Sequence, residues 1–320
     1  MKRFMMKIKF MNRAITVMLF MLVGLAGKAQ YDAMFTQYMF NEMFINPAYA
    51  GSKDAMAVNL LHRQQWVNFP GRPVTTTFSL HGPLMNNKMG LGISVLNERI
   101  GKLNRNLLYA SYAYRVKTDK NGTLALGLNA GIHNQVNKLS ELKATDIGDV
   151  QISQNTPTSM APNFGFGVYY NTKKFYAGVS IPRMIDDGYM FDNSGVFKQR
   201  ISFNISKFHY YITSGYVFEI NEDLRIKPQA MIKVVANAPV QYEVNVNCLI
   251  KSMIWAGLSY RSGSNVAVIL GCQVNPQFIA SYSYDYGLNA IQKYSQGSHE
   301  IALGYLFSYK QKSVITPRYF

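Results

Sequence analysis

The chain has 320 residues, 16% of them charged and 13% aromatic, with 22 Tyr, 19 Phe and a formal net charge of +16. Soluble domains carry about a quarter charged residues, so this composition argues against an ordinary soluble enzyme and suits a lipid-facing surface bordered by aromatics. Nucleic acid is argued against as well, because Lys and Arg are scattered over strand ends and turns and form no cluster with interleaved aromatics.

In chain order, Lys2, Arg3, Lys7, Lys9 and Arg13 precede an apolar stretch from Ala14 to Ala26, and Gly27-Lys28-Ala29 follows with small residues before a cut. This pattern predicts an export signal over residues 1–29, cleaved after Ala29. Its apolar stretch is shorter than the ~20 residues a spanning helix needs, no later segment approaches that length, and no Cys follows to make a lipoprotein. Without the six basic residues of the leader, 27 basic and 17 acidic residues remain, a net of +10. That balance fits contact with lipopolysaccharide, anionic lipid or acidic partners. An exported chain with no spanning helix is either soluble or crosses the membrane as a closed barrel.

Residues 30–54 form a lead-in whose Gln37 to Ser52 stretch, QYMFNEMFINPAYAGS, holds apolar residues without a period of 2. Asn46-Pro47 interrupts any ladder, because proline has no N–H and restricts the residue before it. The segment is too aromatic for free disorder. Three fates are open: packing inside a lumen, which we favour as a plug, covering its mouth, or extending to a partner.

Residues 55–309 then carry fourteen segments of alternating or β-rich character. They are Ala55–Gln65, Val74–Gly82, Met89–Glu98, Arg105–Lys117, Thr123–Gln135, Asn163–Asn171, Lys174–Ile181, Ile205–Glu219, Leu224–Val234, Gln241–Ile250, Met253–Tyr260, Asn265–Val274, Gln277–Asp285 and His299–Tyr309. In the last, Ile301, Leu303, Tyr305 and Phe307 share a face opposite Glu300, Ala302, Gly304 and Leu306. A soluble β-sandwich has the same period with its apolar face turned inward. Loop lengths separate the two readings, because the long connections (65–73, 136–162, 182–204 and 286–298) all fall at one end. The predicted fold is therefore an all-β, 14-stranded antiparallel outer-membrane barrel with both termini in the periplasm and a solvated tail over 310–320.

Enzyme chemistry is not indicated. His62, His81, His133, His209 and His299 lack metal-ligand spacing, and there is no CxxC and no GxSxG. His299 and Glu300 open a strand and so face opposite surfaces. Gly165-Phe166-Gly167 reads as close packing or barrel curvature, not a phosphate cradle. Cys248 and Cys272 lie on strands that are not neighbours and are expected as free, buried thiols. The apolar loop Pro182–Phe191 is expected to fold a short helix over the outer mouth or to meet an external partner. No charged constriction of the porin kind is evident in the strands.

Three motifs remain: Asn46-Pro47-Ala48-Tyr49-Ala50-Gly51-Ser52, His62-Arg63-Gln64-Gln65-Trp66, and Gly297-Ser298-His299-Glu300-Ile301. In the second, Trp66 reads as an interfacial anchor with Arg63 and Gln65 pairing in the lumen; the sharper reading is a recognition site for a passing polypeptide. Together, at this spacing and over essentially the whole mature chain, the motifs resemble the PorP/SprF family of Bacteroidetes outer-membrane proteins. The resemblance implies a non-enzymatic component of the type IX secretion system, with or without gliding motility and without a cofactor. Implied partners are a periplasmic ring of PorK/PorN (GldK/GldN) type, a PorE-type lipoprotein, or a large secreted adhesin. The plugged barrel is also similar to the FadL type, which implies the alternative of a channel for hydrophobic small molecules.

Overall fold

The structure, a computed structural model, describes residues 33–53, 55–85, 87–118, 122–142, 154–192 and 196–307. The export signal with its cleavage site and the tail 310–320 lie outside the described residues. In chain order the strands are β1 (Met56–Gln64), β2 (Val74–Leu84), β3 (Met89–Ile100), β4 (Leu103–Lys117), β5 (Thr123–Asn137), β6 (Ser159–Asn171), β7 (Phe175–Ile181), β8 (Ile185–Phe191) and β9 (Phe197–Phe203). They continue as β10 (Tyr210–Tyr216), β11 (Phe218–Glu219), β12 (Leu224–Val234), β13 (Gln241–Ile250), β14 (Ile254–Arg261), β15 (Asn265–Gln273), β16 (Phe278–Gly287) and β17 (Ser298–Phe307).

Strands β1 to β7 and β10 to β17 pair antiparallel with their neighbours; β1 meets β17 and β7 meets β10, so the sheet closes on itself. Short β11 continues β10: Gly215 faces Gln229 before the gap and Phe218 faces Ile226 after it. Between them on the facing strand stands Pro228, which has no N–H to give. The barrel therefore has fourteen strands, as the alternation predicts.

Side chains sort by phase. On β15, Asn265, Ala267 and Ile269 are buried while Val266, Val268 and Leu270 are exposed. Across the barrel the exposed set is apolar, including Leu128, Phe164, Val179 and Leu258, and the buried set is rich in Asn, Ser and Thr, including Asn59, Ser79, Asn245 and Ser283. A polar inside with an apolar outside is the arrangement for lipid, and a soluble sandwich would reverse it. Aromatic pairs ring both ends: Tyr170–Phe175, Tyr216–Phe218 and Tyr305–Phe307 at one, Tyr242–Tyr260 and Tyr284–His299 at the other. No described helix is long and apolar enough to cross a membrane.

The connections split as expected. The strand ends joined by the shortest connections (β2 to β3, β4 to β5, β6 to β7, β11 to β12, β13 to β14 and β15 to β16) lie at one end, and the strand ends joined by the longest connections lie at the other. Leu258 stands mid-strand on the outer face with 65% exposure. Leu258→Arg is expected to destabilise folding into lipid vesicles by about 2–4 kcal/mol, the cost of a cation near the bilayer midplane. Urea titration checks it; an unchanged midpoint would argue that this face does not meet hydrocarbon.

Three local expectations are corrected. The loop after β7 folds as the hairpin β8–β9, not as a helix, because Phe197–Phe203 supplies a partner strand for the β-prone Ile185–Phe191 run. The strand expected from Ile205 begins at Tyr210, because Asn204 caps a turn there by accepting from the Ser206 N–H at 3.0 Å. The cysteines are free, but Cys248 is only half-buried and Cys272 is exposed. Both sit at the outward phase of their strands.

Candidate functional site: the occupied lumen

Residues 33–53 lie among the lumen-facing side chains. They form three single turns, Tyr38–Phe40, Glu42–Ile45 and Pro47–Tyr49. Such short turns are not stable alone, and the barrel wall holds them. Asn46 caps the last turn by accepting from the Ala48 N–H at 2.9 Å, and Pro47 takes the first helical position, where its missing N–H costs nothing. Around it, Phe40 stacks on Trp255 with ring centroids 5.3 Å apart, and Tyr49 meets His81 and Tyr169 edge-on. Phe35, Tyr38, Met39, Phe40 and Ile45 share one buried cluster with Leu61, Leu96, Tyr211, Met231, Leu249, Trp255, Ile269 and Ala302.

The segment descends through the barrel. Thr36 and Gln37 lie in the half nearer the long loops, against Arg63, Asp285 and Glu300. Asn46 lies lower, where its amide donates to the Val168 carbonyl at 2.9 Å, and the Ser180 hydroxyl donates to the Ile45 carbonyl at 2.6 Å. Gly51 reaches the short-turn end, where its N–H donates to His81 Nδ1 at 3.2 Å. Glycines on the wall make this approach close. A Cβ on Gly127 would lie 2.1 Å from the Ala48 nitrogen, one on Gly167 2.0 Å from Asn46 Oδ1, and one on Gly90 2.1 Å from the Ala50 carbonyl oxygen. Gly51 itself has φ +67°, a conformation that favours glycine. The Gly165-Phe166-Gly167 run thus serves close packing, with Gly165 against the Pro182 carbonyl.

The second and third motifs meet directly, since Arg63 faces Glu300 and Gln64 faces His299 in the β1–β17 register. Arg63 Nη1 donates to Glu300 Oε2 at 2.8 Å and Nη2 to Asp285 Oδ2 at 2.7 Å. One cation serves two buried carboxylates, and the lead-in completes the balance. Glu300 accepts the backbone N–H groups of Thr36 at 3.1 Å and Gln37 at 2.7 Å, and the Thr36 hydroxyl donates to Asp285 at 2.7 Å. His62, Gln64 and His299 take the outer phase, where His62 Nδ1 lies 2.9 Å from Thr76 Oγ1 and His299 Nδ1 lies 2.6 Å from the Tyr282 hydroxyl.

The expected pairing of Gln65 with Arg63 is corrected. β1 ends at Gln64, the Gln65 N–H donates to the Pro73 carbonyl at 2.9 Å, and Arg63 turns to the two carboxylates instead. Trp66 begins the loop with φ 51° and rests edge-on against Phe69, while its N–H donates to Ser298 Oγ at 3.2 Å. Gly297, with φ +82°, accepts from the Val67 N–H at 2.8 Å and so ties the two motif loops together.

Charge in the lumen is richer than the strands suggested. Glu98 faces Arg105 and Glu243 faces Arg261 across neighbouring strands, each as a buried ion pair. With Arg63–Glu300 they make three cross-strand Arg–Glu pairs, all toward the long loops. For the two pairs on sequence-adjacent strands, Glu98–Arg105 and Glu243–Arg261, the signal is opposite charge at inward positions equidistant from one connection; Arg63 and Glu300 meet only through closure of the sheet. The hairpin β8–β9 closes over this level: Asp187 reaches His133 at 3.4 Å, the Tyr189 hydroxyl donates to the Gln135 carbonyl at 2.6 Å, and His133 also bonds Tyr109. Among the described residues, one cavity of about 60 Å³ lies beside the segment, bordered by Met34, Phe44, Leu96, Leu107, Arg183 and Met231.

In fold the chain is similar to the CymD monoaromatic hydrocarbon channel (12% identity, TM-score 0.49, 89% of this chain and 96% of that one). It is similar also to a Pseudomonas aeruginosa FadL homologue (11%, 0.47, 88% and 96%) and to the P. putida toluene transporter TodX (8%, 0.47, 84% and 94%). These likenesses are of the outer-membrane barrel alone. No curated protein matches the sequence. The family model for type IX secretion system membrane proteins PorP/SprF matches residues 27–305, the whole of the barrel but its last two described residues, and the chain belongs to that family.

Proposed function

We propose that this barrel is a closed, non-enzymatic scaffold of the type IX secretion machinery that works through its ends and not by conduction. The observation that carries the reading is the occupied lumen. Residues 33–53 touch, or share a packed cluster with, side chains of all fourteen barrel strands. The cavity beside Phe44 among the described residues, about 60 Å³, is far below the roughly 300–1,000 Å³ of small-molecule sites. A channel for hydrophobic small molecules would need an apolar pocket between Phe40, Phe44 and the lumenal strands; Phe40 is stacked on Trp255, and the cavity that Phe44 borders is about 60 Å³.

The short-turn end then faces the periplasm, in keeping with the loop asymmetry of outer-membrane barrels. Lys88, Lys117, Lys173, Lys174 and Lys251 stand on or beside its turns and, among the described residues, outnumber Glu219, Glu222 and Asp223 there, with Lys174 paired to Glu219 at 2.5 Å. Such a basic face suits docking of the PorK/PorN-type ring, directly or through a PorE-type lipoprotein. The long-loop end faces outward and suits retention of a large secreted adhesin. A gentle-detergent pull-down of the tagged mature protein from its native outer membrane is expected to recover ring proteins or one giant adhesin. A barrel recovered alone with a bound fatty molecule would replace this reading with the channel.

A further inference from the structure

Hairpin β8–β9 is a two-stranded sheet apart from the barrel wall. The Asp192 N–H donates to the Val196 carbonyl at 3.0 Å, which sets the ladder phase. In the register Ile185↔Phe203, residues 186, 188 and 190 exchange bonds with 202, 200 and 198. The backbones of Ile185 and Asp187 on β8, and of Gln199, Ile201 and Phe203 on β9, then point away from the hairpin.

The two edges differ. On β8 these groups are engaged: Asn163 Nδ2 donates to the Ile185 carbonyl at 2.6 Å, the Ile185 N–H donates to Asn163 Oδ1 at 3.2 Å, and Gln135 Nε2 donates to the Asp187 carbonyl at 3.4 Å. On β9 no strand among the described residues pairs with the outward groups. Ile201 and Phe203 are exposed on one face of that edge, with Lys198 and Arg200 on the other. Lys198 pairs with Asp192 at 2.8 Å, while Arg200 has no ion pair among the described residues.

We propose that the free edge of β9 receives an extended segment of an exported polypeptide in which acidic and apolar side chains alternate. The proposal rests on the secretion reading and names the surface it would use. A row of unpaired N–H and C=O groups is answered by a strand, and the alternate side chains set its character. Apolar residues of the guest would lie along Ile201 and Phe203, and acidic ones along Lys198 and Arg200. A second copy of this chain fits poorly, because antiparallel pairing centred on Arg200 would set two guanidinium groups face to face.

The test uses the full mature protein in detergent and a labelled synthetic peptide of about ten residues, the upper end of ordinary strand lengths, with Val and Glu alternating. Fluorescence anisotropy is expected to show salt-sensitive binding and no binding of a Val/Lys counterpart. Ile201→Pro removes an outward N–H without removing a hairpin bond, so it is expected to weaken binding about tenfold or more. Arg200→Glu is expected to reverse the preference toward the Val/Lys peptide. Unselective binding, an unaffected Ile201→Pro variant, or a dimer in light scattering that this variant dissolves would overturn the proposal. The pull-down separates the two failures. If native membranes yield partners but the peptide does not bind, only the edge site fails; if wild type recovers neither ring nor adhesin, the secretion reading fails.

Discussion

Arg63→Ala should destabilise the folded barrel by about 3–5 kcal/mol, the usual effect of removing one partner from a buried ion pair. Arg63 is 2% exposed and lies between Glu300 at 2.8 Å and Asp285 at 2.7 Å, which are 0% and 2% exposed. Without it, two carboxylates would stand close together in the lumen, held among the described residues by the Thr36 and Gln37 donors. Arg63→Lys keeps the charge but not the fork that serves both acids, so its effect should be intermediate. The triple variant Arg63→Ala, Asp285→Asn, Glu300→Gln removes the like-charge conflict and should recover a large part of the loss. Urea unfolding in detergent reads these differences, with Trp255 fluorescence reporting on the stacked Phe40. A single Arg63→Ala variant as stable as wild type would show that Thr36 and Gln37, not the ion pair, hold this level of the lumen.

Deleting residues 33–53 should turn a closed barrel into a conducting one in planar bilayers. The segment fills the bore from Glu300 near the long loops to Gly90 at the short turns. Gly127→Val tests the same point without shortening the chain. Its Cβ would stand 2.1 Å from the Ala48 backbone nitrogen, and backbone gives way less readily than the end of a side chain. The valine variant should conduct intermittently, between silent wild type and the open deletion. Gel mobility before and after heating would show that each barrel still closes. A deletion variant that folds yet conducts no better than wild type would remove this segment as the closure and, with it, the reason to place function at the ends.

How much of this was legible beforehand follows from the physics of each level. Strand count, inward and outward phases and loop asymmetry depend on a period of 2 and on turn residues, which a sequence displays one strand at a time. That is why Asn265–Gln273 and Ser298–Phe307 could be read within a residue or two. The hairpin was misread because its partner strand stands beyond a turn within a run that has no clean alternation. The thiols were misread because phase, not hydrophobicity, decides which way a strand residue points; in a lipid-facing barrel an outward Cys is exposed. The lumenal ion pairs were missed because each charge looked isolated in its own segment. Only register sets Glu243 opposite Arg261 and Arg63 opposite Glu300.

By itself the sequence determined that this chain is a fourteen-stranded barrel with an apolar outer face, because alternation, length and composition are local properties of each strand. Tertiary structure alone decided what fills the barrel. The turns of residues 38–49 have no independent stability, and the glycines that admit them, the carboxylates that bind Thr36 and Gln37, and the rings that stack on Phe40 come from strands up to 264 residues away. Closure of the sheet brings those groups to one axis, and no local signal could have done so.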